Sequence, residues 1–256
     1  MSGAAVHVEH AGGVSTFRIS NPGKRNAFTW TMYEQLERGV RELPESTRAV
    51  VLRGDAEDGF AAGTDIRQFT GFSGRDGLEY ERTVGRVLDA VLAVDVPVIS
   101  LVQRTAVGAG LALACCSDIV IAERGALFGA PIARTLGNCI PAAVFARLRG
   151  RAGEANALTM MLTATLIPAE RLEGTGFVFR AVDAGELDAQ AGELLRRILS
   201  SAPLTLRALK EINRRITAAV PVPEADDLLL ECYGSADFAE GVSAFLDGRR
   251  PEWSGR

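Results

Sequence analysis

Two rhythms of hydrophobic positions run along this chain, short compact runs in the first half and stretches with helical spacing throughout the second. Residues 6–9 and 13–20 read as short strands around the turn Ala11-Gly12-Gly13, and Asn21-Pro22-Gly23 makes a second turn. A helix is expected from about Thr31 to Leu43, where Thr31-Met32-Tyr33-Glu34 fits a capping box. Residues 49–53 form an apolar run of the kind buried on both faces of a sheet. Phe60-Ala61-Ala62-Gly63 leads into a helical turn over 64–69, and the glycine-rich stretch 71–77 reads as mobile. Apolar positions then return at helical spacing over 78–94, followed by a strand over 96–102 and a buried helix over 108–116. Further strands are expected at 118–122 and 127–129. Beyond Pro131 the pattern is helical, with helices at 140–148, 154–162, 168–173, 187–200, 204–219, 225–233 and 236–246. Pro221-Val222-Pro223 is the best candidate hinge.

Composition adds bounds to this α/β pattern. The 256 residues suit one large domain, or one domain with a small helical appendage. A hydrophobic content of 47% allows a core that needs no disulfide or metal, and a net charge of −4 argues against a general nucleic-acid binder. Cys115, Cys116, Cys139 and Cys232 include no C-x-x-C pair, which fits a reducing compartment better than a disulfide framework or a zinc site. No signal peptide is visible, and no apolar stretch approaches the ~20 residues that span a bilayer, so a cytosolic protein is expected.

The chemistry concentrates in two small-residue turns, Phe60-Ala61-Ala62-Gly63-Thr64-Asp65-Ile66 and Val107-Gly108-Ala109-Gly110. Each appears before a helical segment, where main-chain N–H groups lack partners and the positive end of the helix dipole lies behind them. Brought together, such turns form an oxyanion hole. The usual acid–base pair is missing beside them, since no Asp or Glu occurs over 101–117 or over 125–151. His7 and His10, the only histidines, lie in the N-terminal strand region, and a Ser-His-Asp or Cys-His arrangement would need one of them to fold back over the site.

These segments, in this order, resemble the crotonase (enoyl-CoA hydratase/isomerase) superfamily. Asn21-Pro22-Gly23-Lys24-Arg25-Asn26-Ala27 is similar to the family's N-terminal turn, Phe60 to Ile66 to its A-G-x-D-I oxyanion motif, and Val107 to Ile119 to its glycine-rich helix. Ser235, Asp237, Glu240, Gly241, Ala244 and Phe245, followed by Arg249 and Pro251, resemble its C-terminal signature. The resemblance implies a crotonase-like ββα spiral core over residues 1–200. It implies a helical C-terminal region over 201–256 for capping the site and for assembly into a homotrimer or a dimer of trimers. It also implies an acyl-CoA substrate, with coenzyme A as part of the substrate and no separate cofactor, metal, nucleic acid or membrane partner. The oxyanion donors would be the main-chain N–H groups of Thr64 and Ala109. Substrate contacts would fall at Arg25, Ala27, Ala62, Asp65, Ile66, Gly110 and Lys210. Asp65 is expected to support its loop and the helix start, and Asp118, which closes the second motif and begins a strand, is expected to be structural rather than catalytic.

Relatives that hydrate a double bond carry two glutamates at positions that here match Ala112 and Ile132, so ordinary hydration is disfavoured. General acid–base help is worth ~10²–10⁴-fold per group. Three readings stay open. A decarboxylase needs the oxyanion hole but no base, with Arg134 holding a substrate carboxylate near Thr135 and Asn138. An isomerase or hydrolase would use a relocated acid, Glu79 before Glu81. A sensor or scaffold would bind acyl-CoA without turnover.

Overall fold

The computed structural model describes residues 3–55 and 57–256. The chain opens with a hairpin of β1 (Ala5–Ala11) and β2 (Val14–Ser20), followed by helix α1 (Trp30–Arg41). It then turns three times through one unit. A strand of a large sheet passes directly into a strand of a small sheet, and a helical segment follows. The first turn is β3 (Ala49–Gly54), β4 (Ala61–Ala62), a 3-10 turn at Ile66–Phe69 and α2 (Gly74–Ala93). The second is β5 (Val98–Val102), β6 (Thr105–Val107) and α3 (Ala109–Cys116), and the third β7 (Ile119–Glu123), β8 (Leu127–Gly129) and α4 (Ile132–Thr135). After α5 (Ala142–Ala152) and α6 (Glu154–Thr163) come β9 (Ile167–Pro168), α7 (Ala169–Glu173), β10 (Arg180–Val182) and α8 (Leu187–Ser200). The C-terminal helices are α9 (Pro203–Ala218), α10 (Asp226–Gly234) and α11 (Ala236–Asp247).

The large sheet has the order β1-β2-β3-β5-β7-β10, parallel apart from the β1–β2 hairpin, and the small sheet the order β4-β6-β8-β9. This is the ββα spiral expected of the sequence. The continuous apolar run of β3 has its reason here: Val50 and Leu52 enter the main core, while Ala49 and Val51 pack under Leu187, Ala191 and Ile198 of α8. Both faces are covered, so neither needs polar residues.

The ends of elements show three departures from expectation. Helix α1 is capped by Thr29, whose Oγ1 accepts from the Met32 N–H at 3.3 Å, so it starts before Thr31. The stretch 71–77 is no loose loop. Ser73 and Asp76 form a reciprocal capping box that starts α2 at Gly74. Its glycines serve contact, because a Cβ on Gly77 would lie 2.1 Å from Cγ of Tyr233 and one on Gly74 2.5 Å from the Leu230 carbonyl oxygen. Strands β6, β9 and β10 and helix α4 are too short to carry a hydrophobic period; they exist through the neighbours they pair with or follow.

The region after Ser200 is itself divided. α10 and α11 pack into the core through Leu229, Tyr233, Phe238 and Val242, whereas α9 has no fully buried residue and exposes Leu209, Ile212 and Ile216. Among the described residues no helix is long and apolar enough to cross a membrane.

Candidate active site

Strand register builds the centre of the site. β4 and β6 are parallel, with Ala62 opposite Val107. The next residues, Gly63 and Gly108, therefore leave the small sheet side by side. They touch so closely that a Cβ on Gly108 would stand 3.3 Å from the Gly63 Cα. Gly108 has φ 56° and ψ −116°, a conformation in which only glycine is at ease. One residue further on lie Thr64 and Ala109.

Three neighbouring main-chain N–H groups are engaged. The Phe28 N–H donates to the Gly63 carbonyl at 2.8 Å, the Asp65 N–H donates to the Phe28 carbonyl at 2.9 Å, and the Gly108 N–H donates to the Gly129 carbonyl at 3.0 Å. Among the described residues the N–H groups of Thr64 and Ala109 donate to no acceptor. Ala109 is also the first residue of α3, at the positive end of its dipole. The expected donors thus stand at matching positions on adjoining turns. Each such donor is typically worth about 3–4 kcal/mol toward a developing oxyanion. Gly110 allows α3 to sit on β4, since a Cβ there would lie 2.3 Å from the Ala61 carbonyl oxygen.

The N-terminal turn braces this arrangement. The Arg25 carbonyl accepts from the Ala62 N–H at 3.0 Å, while the Arg25 side chain lies on the exposed surface. Asn26, fully buried with φ 54°, donates to the Gly59 carbonyl at 2.8 Å and accepts from the Asn21 N–H at 2.8 Å. Asn21 in turn donates to the Ala27 carbonyl at 2.6 Å. The two asparagines act as the frame of the loop, a role their place in the motif signals but their polarity alone does not. Asp65 caps the 3-10 turn by accepting from the Arg67 N–H at 3.1 Å, and hydrogen bonding to the Arg67 guanidinium holds its carboxyl below the usual range. Its geometry is that of a loop support. Ile66 packs partly against the core beside it.

Beneath Thr64 lies a polar seam that sequence reasoning found only in part. The Thr64 hydroxyl bonds the phenol oxygens of Tyr33 (2.7 Å) and Tyr80 (2.6 Å). Tyr33 stacks on Phe28 with ring centroids 4.8 Å apart. Next along α2, Glu81 is buried and accepts from the Tyr233 hydroxyl of α10 at 2.5 Å, and Asn138 Nδ2 donates to the same hydroxyl at 2.9 Å. Burial pushes the Glu81 carboxyl up to about 7, against the opposing pull of the Tyr233 hydrogen bond. Burial likewise raises the phenols of Tyr33, Tyr80 and Tyr233.

Several expected contributors lie elsewhere. Glu79 projects from the exposed side of α2, because the helical period turns residues 77, 78, 80, 81 and 84 inward and leaves 79 out. The acid brought into the interior is Glu81. Lys210 bonds Asp118 at 2.6 Å and the Val96 carbonyl at 2.7 Å. Both partners precede β5 and β7, at the opposite end of these strands from the turns at Gly63 and Gly108, so within one subunit Lys210 is committed to holding α9. Asp118 also accepts from the Val98 N–H at 2.7 Å, a tie between strands. Arg249 pairs with Glu240 at 2.5 Å. Ala112 is buried on α3 and Ile132 opens α4, so apolar side chains occupy both positions matched to the missing acids. Arg134 is exposed on α4 and forms no ion pair among the described residues.

The chain matches known proteins along nearly its whole length. Residues 9–256 match the sequence pattern of the family described as Enoyl-CoA hydratase/isomerase. The chain is 31% identical to the 1,2-epoxyphenylacetyl-CoA isomerase of Escherichia coli K12, over 98% of its own length and 97% of that enzyme's. Among solved structures it is similar to an enoyl-CoA hydratase/carnithine racemase from Magnetospirillum magneticum, with 29% identity, TM-score 0.80, and coverage of 98% of this chain and 96% of that one. It is also similar to a methylmalonyl-CoA decarboxylase in complex with 2-nitronate-propionyl-CoA, with 25% identity, TM-score 0.87 and complete coverage of both chains.

Proposed function

The chain belongs to the enoyl-CoA hydratase/isomerase family, the crotonase superfamily, and from that premise we propose that it is an acyl-CoA enzyme working through a thioester enolate. The thioester oxygen sits between the Thr64 and Ala109 N–H groups, and coenzyme A enters as part of the substrate. The favoured reaction is decarboxylation of a malonyl-type thioester. Loss of carbon dioxide leaves the electron pair on the α-carbon without any base, and it delocalises onto the oxygen in the hole.

The observation that carries this reading is a pair of unengaged main-chain donors on touching turns, with Ala112 and Ile132 where hydratases of this family place acids. The likeness to methylmalonyl-CoA decarboxylase supports it. Arg134 is the group proposed to hold the substrate carboxylate. Arg25 and the loop around Asp65 are proposed to meet the coenzyme. The exposed Leu209, Ile212 and Ile216 of α9 are proposed to pack against other copies in a trimer or a dimer of trimers.

The test is a mass-spectrometric turnover screen of the purified protein with malonyl-CoA, methylmalonyl-CoA, crotonyl-CoA and 3-enoyl-CoAs. Expected are carbon dioxide loss from a malonyl-type thioester, little hydration of crotonyl-CoA, and a raised KM for the carboxylated substrate in Arg134→Ala. Rapid crotonyl-CoA hydration would overturn the decarboxylase reading, and binding without any turnover would make the protein an acyl-CoA sensor.

A further inference from the structure

Glu81 is a buried carboxyl with no cation beside it. Among the described residues its one hydrogen-bond partner is the Tyr233 hydroxyl, at 2.5 Å. The titratable groups facing it are Tyr33 from α1, Tyr80 from its own helix and Tyr233 from α10, all phenols. α3, which also packs on α2, contributes no charged side chain. The Arg82–Asp226 pair of α2 and α10 lies at the surface. If the purpose of this contact were to join α2 to α10, an apolar pair would do so without the cost of burying an acid.

The position of the pair is informative. Tyr233 Oη also accepts from Asn138 Nδ2 at 2.9 Å. Asn138 lies just beyond α4, the helix that opens at Ile132. Its own Oδ1 is buried without a partner. On the other flank, Tyr80 adjoins Glu81 and bonds the Thr64 side chain at 2.6 Å, directly behind an oxyanion donor. The Tyr80 and Tyr233 rings lie 6.3 Å apart. Two hydrogen-bonded groups therefore adjoin at Tyr80 and Glu81, one reaching the Thr64 side chain and the other Asn138, just beyond α4.

We propose that Tyr233 and Glu81 are the proton-transfer pair of the acyl site, Tyr233 as the group facing the thioester and Glu81 as the positioning acid behind it. The inference rests on the enolate reading above. In the enolising direction the proton of the α-carbon passes to the Tyr233 oxygen while the Tyr233 proton passes to the Glu81 carboxylate. The C–H electron pair becomes the enolate double bond, and the charge moves to the oxygen held by Thr64 and Ala109. In the reverse direction the same pair protonates the enolate left by carbon dioxide loss, and Glu81 regains its proton from solvent water. A carboxyl that titrates near 7 supplies both forms near neutrality.

The experiment is α-hydrogen exchange of propionyl-CoA in deuterium oxide, followed by mass spectrometry, which needs enolisation but no decarboxylation. Wild-type protein should exchange the α-hydrogens at a rate that rises through an ionisation near pH 7. Glu81→Gln and Tyr233→Phe should each exchange about 10²-fold more slowly or worse, with propionyl-CoA binding kept and the pH step gone in Glu81→Gln. The two variants disturb the seam from opposite helices, so loss of fold in one leaves the other as the test. A wild-type rate in both, or a pH step that survives Glu81→Gln, would overturn the pair. Binding of propionyl-CoA by wild-type protein without exchange would also overturn it while leaving an acyl-CoA site standing. Failure to bind propionyl-CoA at all would remove both readings.

Discussion

Thr64 stands where two regions built from different parts of the polypeptide meet. Above it, the turns at Gly63 and Gly108 act through main-chain N–H groups, and their geometry comes from strand register and from glycine φ values of +87° and +56°. Below it, the seam between α2 and α10 acts through side chains in two hydrogen-bonded groups, Tyr33 and Tyr80 on the Thr64 hydroxyl at 2.7 and 2.6 Å, and Glu81 and Asn138 on the Tyr233 hydroxyl at 2.5 and 2.9 Å. The donors of the first region are main-chain groups, so a change of side chain at 109 that leaves the backbone in place spares them. The second depends on each side chain, since removing one partner leaves another buried and unpaired. Glycine serves both regions for different reasons, as a conformation at Gly108 and as a gap for a neighbour at Gly77.

The comparison is tested most severely at Gly77. Gly77→Ala drives a methyl group into the Tyr233 ring, 2.1 Å from Cγ. It should cost about 3 kcal/mol or more in chemical denaturation, at the upper end of overpacking effects. A wild-type midpoint would mean that α2 and α10 are not packed to contact.

A slightly smaller effect is expected from pH. Burial raises the Glu81 carboxyl from 4.5 to about 7, so between those values the folded protein holds a proton that the unfolded chain has released. This contribution is fully present below about pH 4.5 and is lost as pH rises through about 7, a total near 3 kcal/mol. Glu81→Gln lacks the group. Wild-type stability should therefore decline relative to that variant across the interval, and parallel pH profiles for the two proteins would sink the assignment.

The smallest effect belongs to the upper region. Asp65→Asn alters a cap whose Arg67 partner is largely in solvent, so the stability loss should be about 1 kcal/mol or less. Coenzyme A binding should suffer more than the chemical step. Loss of turnover with binding and stability intact would make Asp65 a catalytic acid after all.

The upper region could be read from the chain because its determinants are local. Small residues, a capping aspartate and glycines at fixed spacing lie within a few positions of one another, and the turn at Asn21 to Ala27 carries its own bracing amides. The lower region could be read only in part. Glu81 falls on the apolar stripe of α2 with Leu78, Val84 and Leu88, and a carboxyl in that stripe is a signal in itself. Its partner Tyr233 lies 152 positions away, however, and nothing in the local pattern of either segment points to the other. The same distance turned the glycines at 74 and 77 from evidence of a close helix crossing into apparent evidence of mobility. It also hid the commitment of Lys210 to Asp118, an ion pair formed across 92 positions.

The sequence by itself determined the family, the ββα order of elements, the two glycine turns and the absence of acids at 112 and 132, since each of these is carried by short-range pattern or by residue identity. Only the tertiary structure decided which acid is inside, what it bonds and which glycines make room for whom. Those outcomes depend on long-range packing of α10 against α2, where burial and proximity, rather than local propensity, set the chemistry of a side chain.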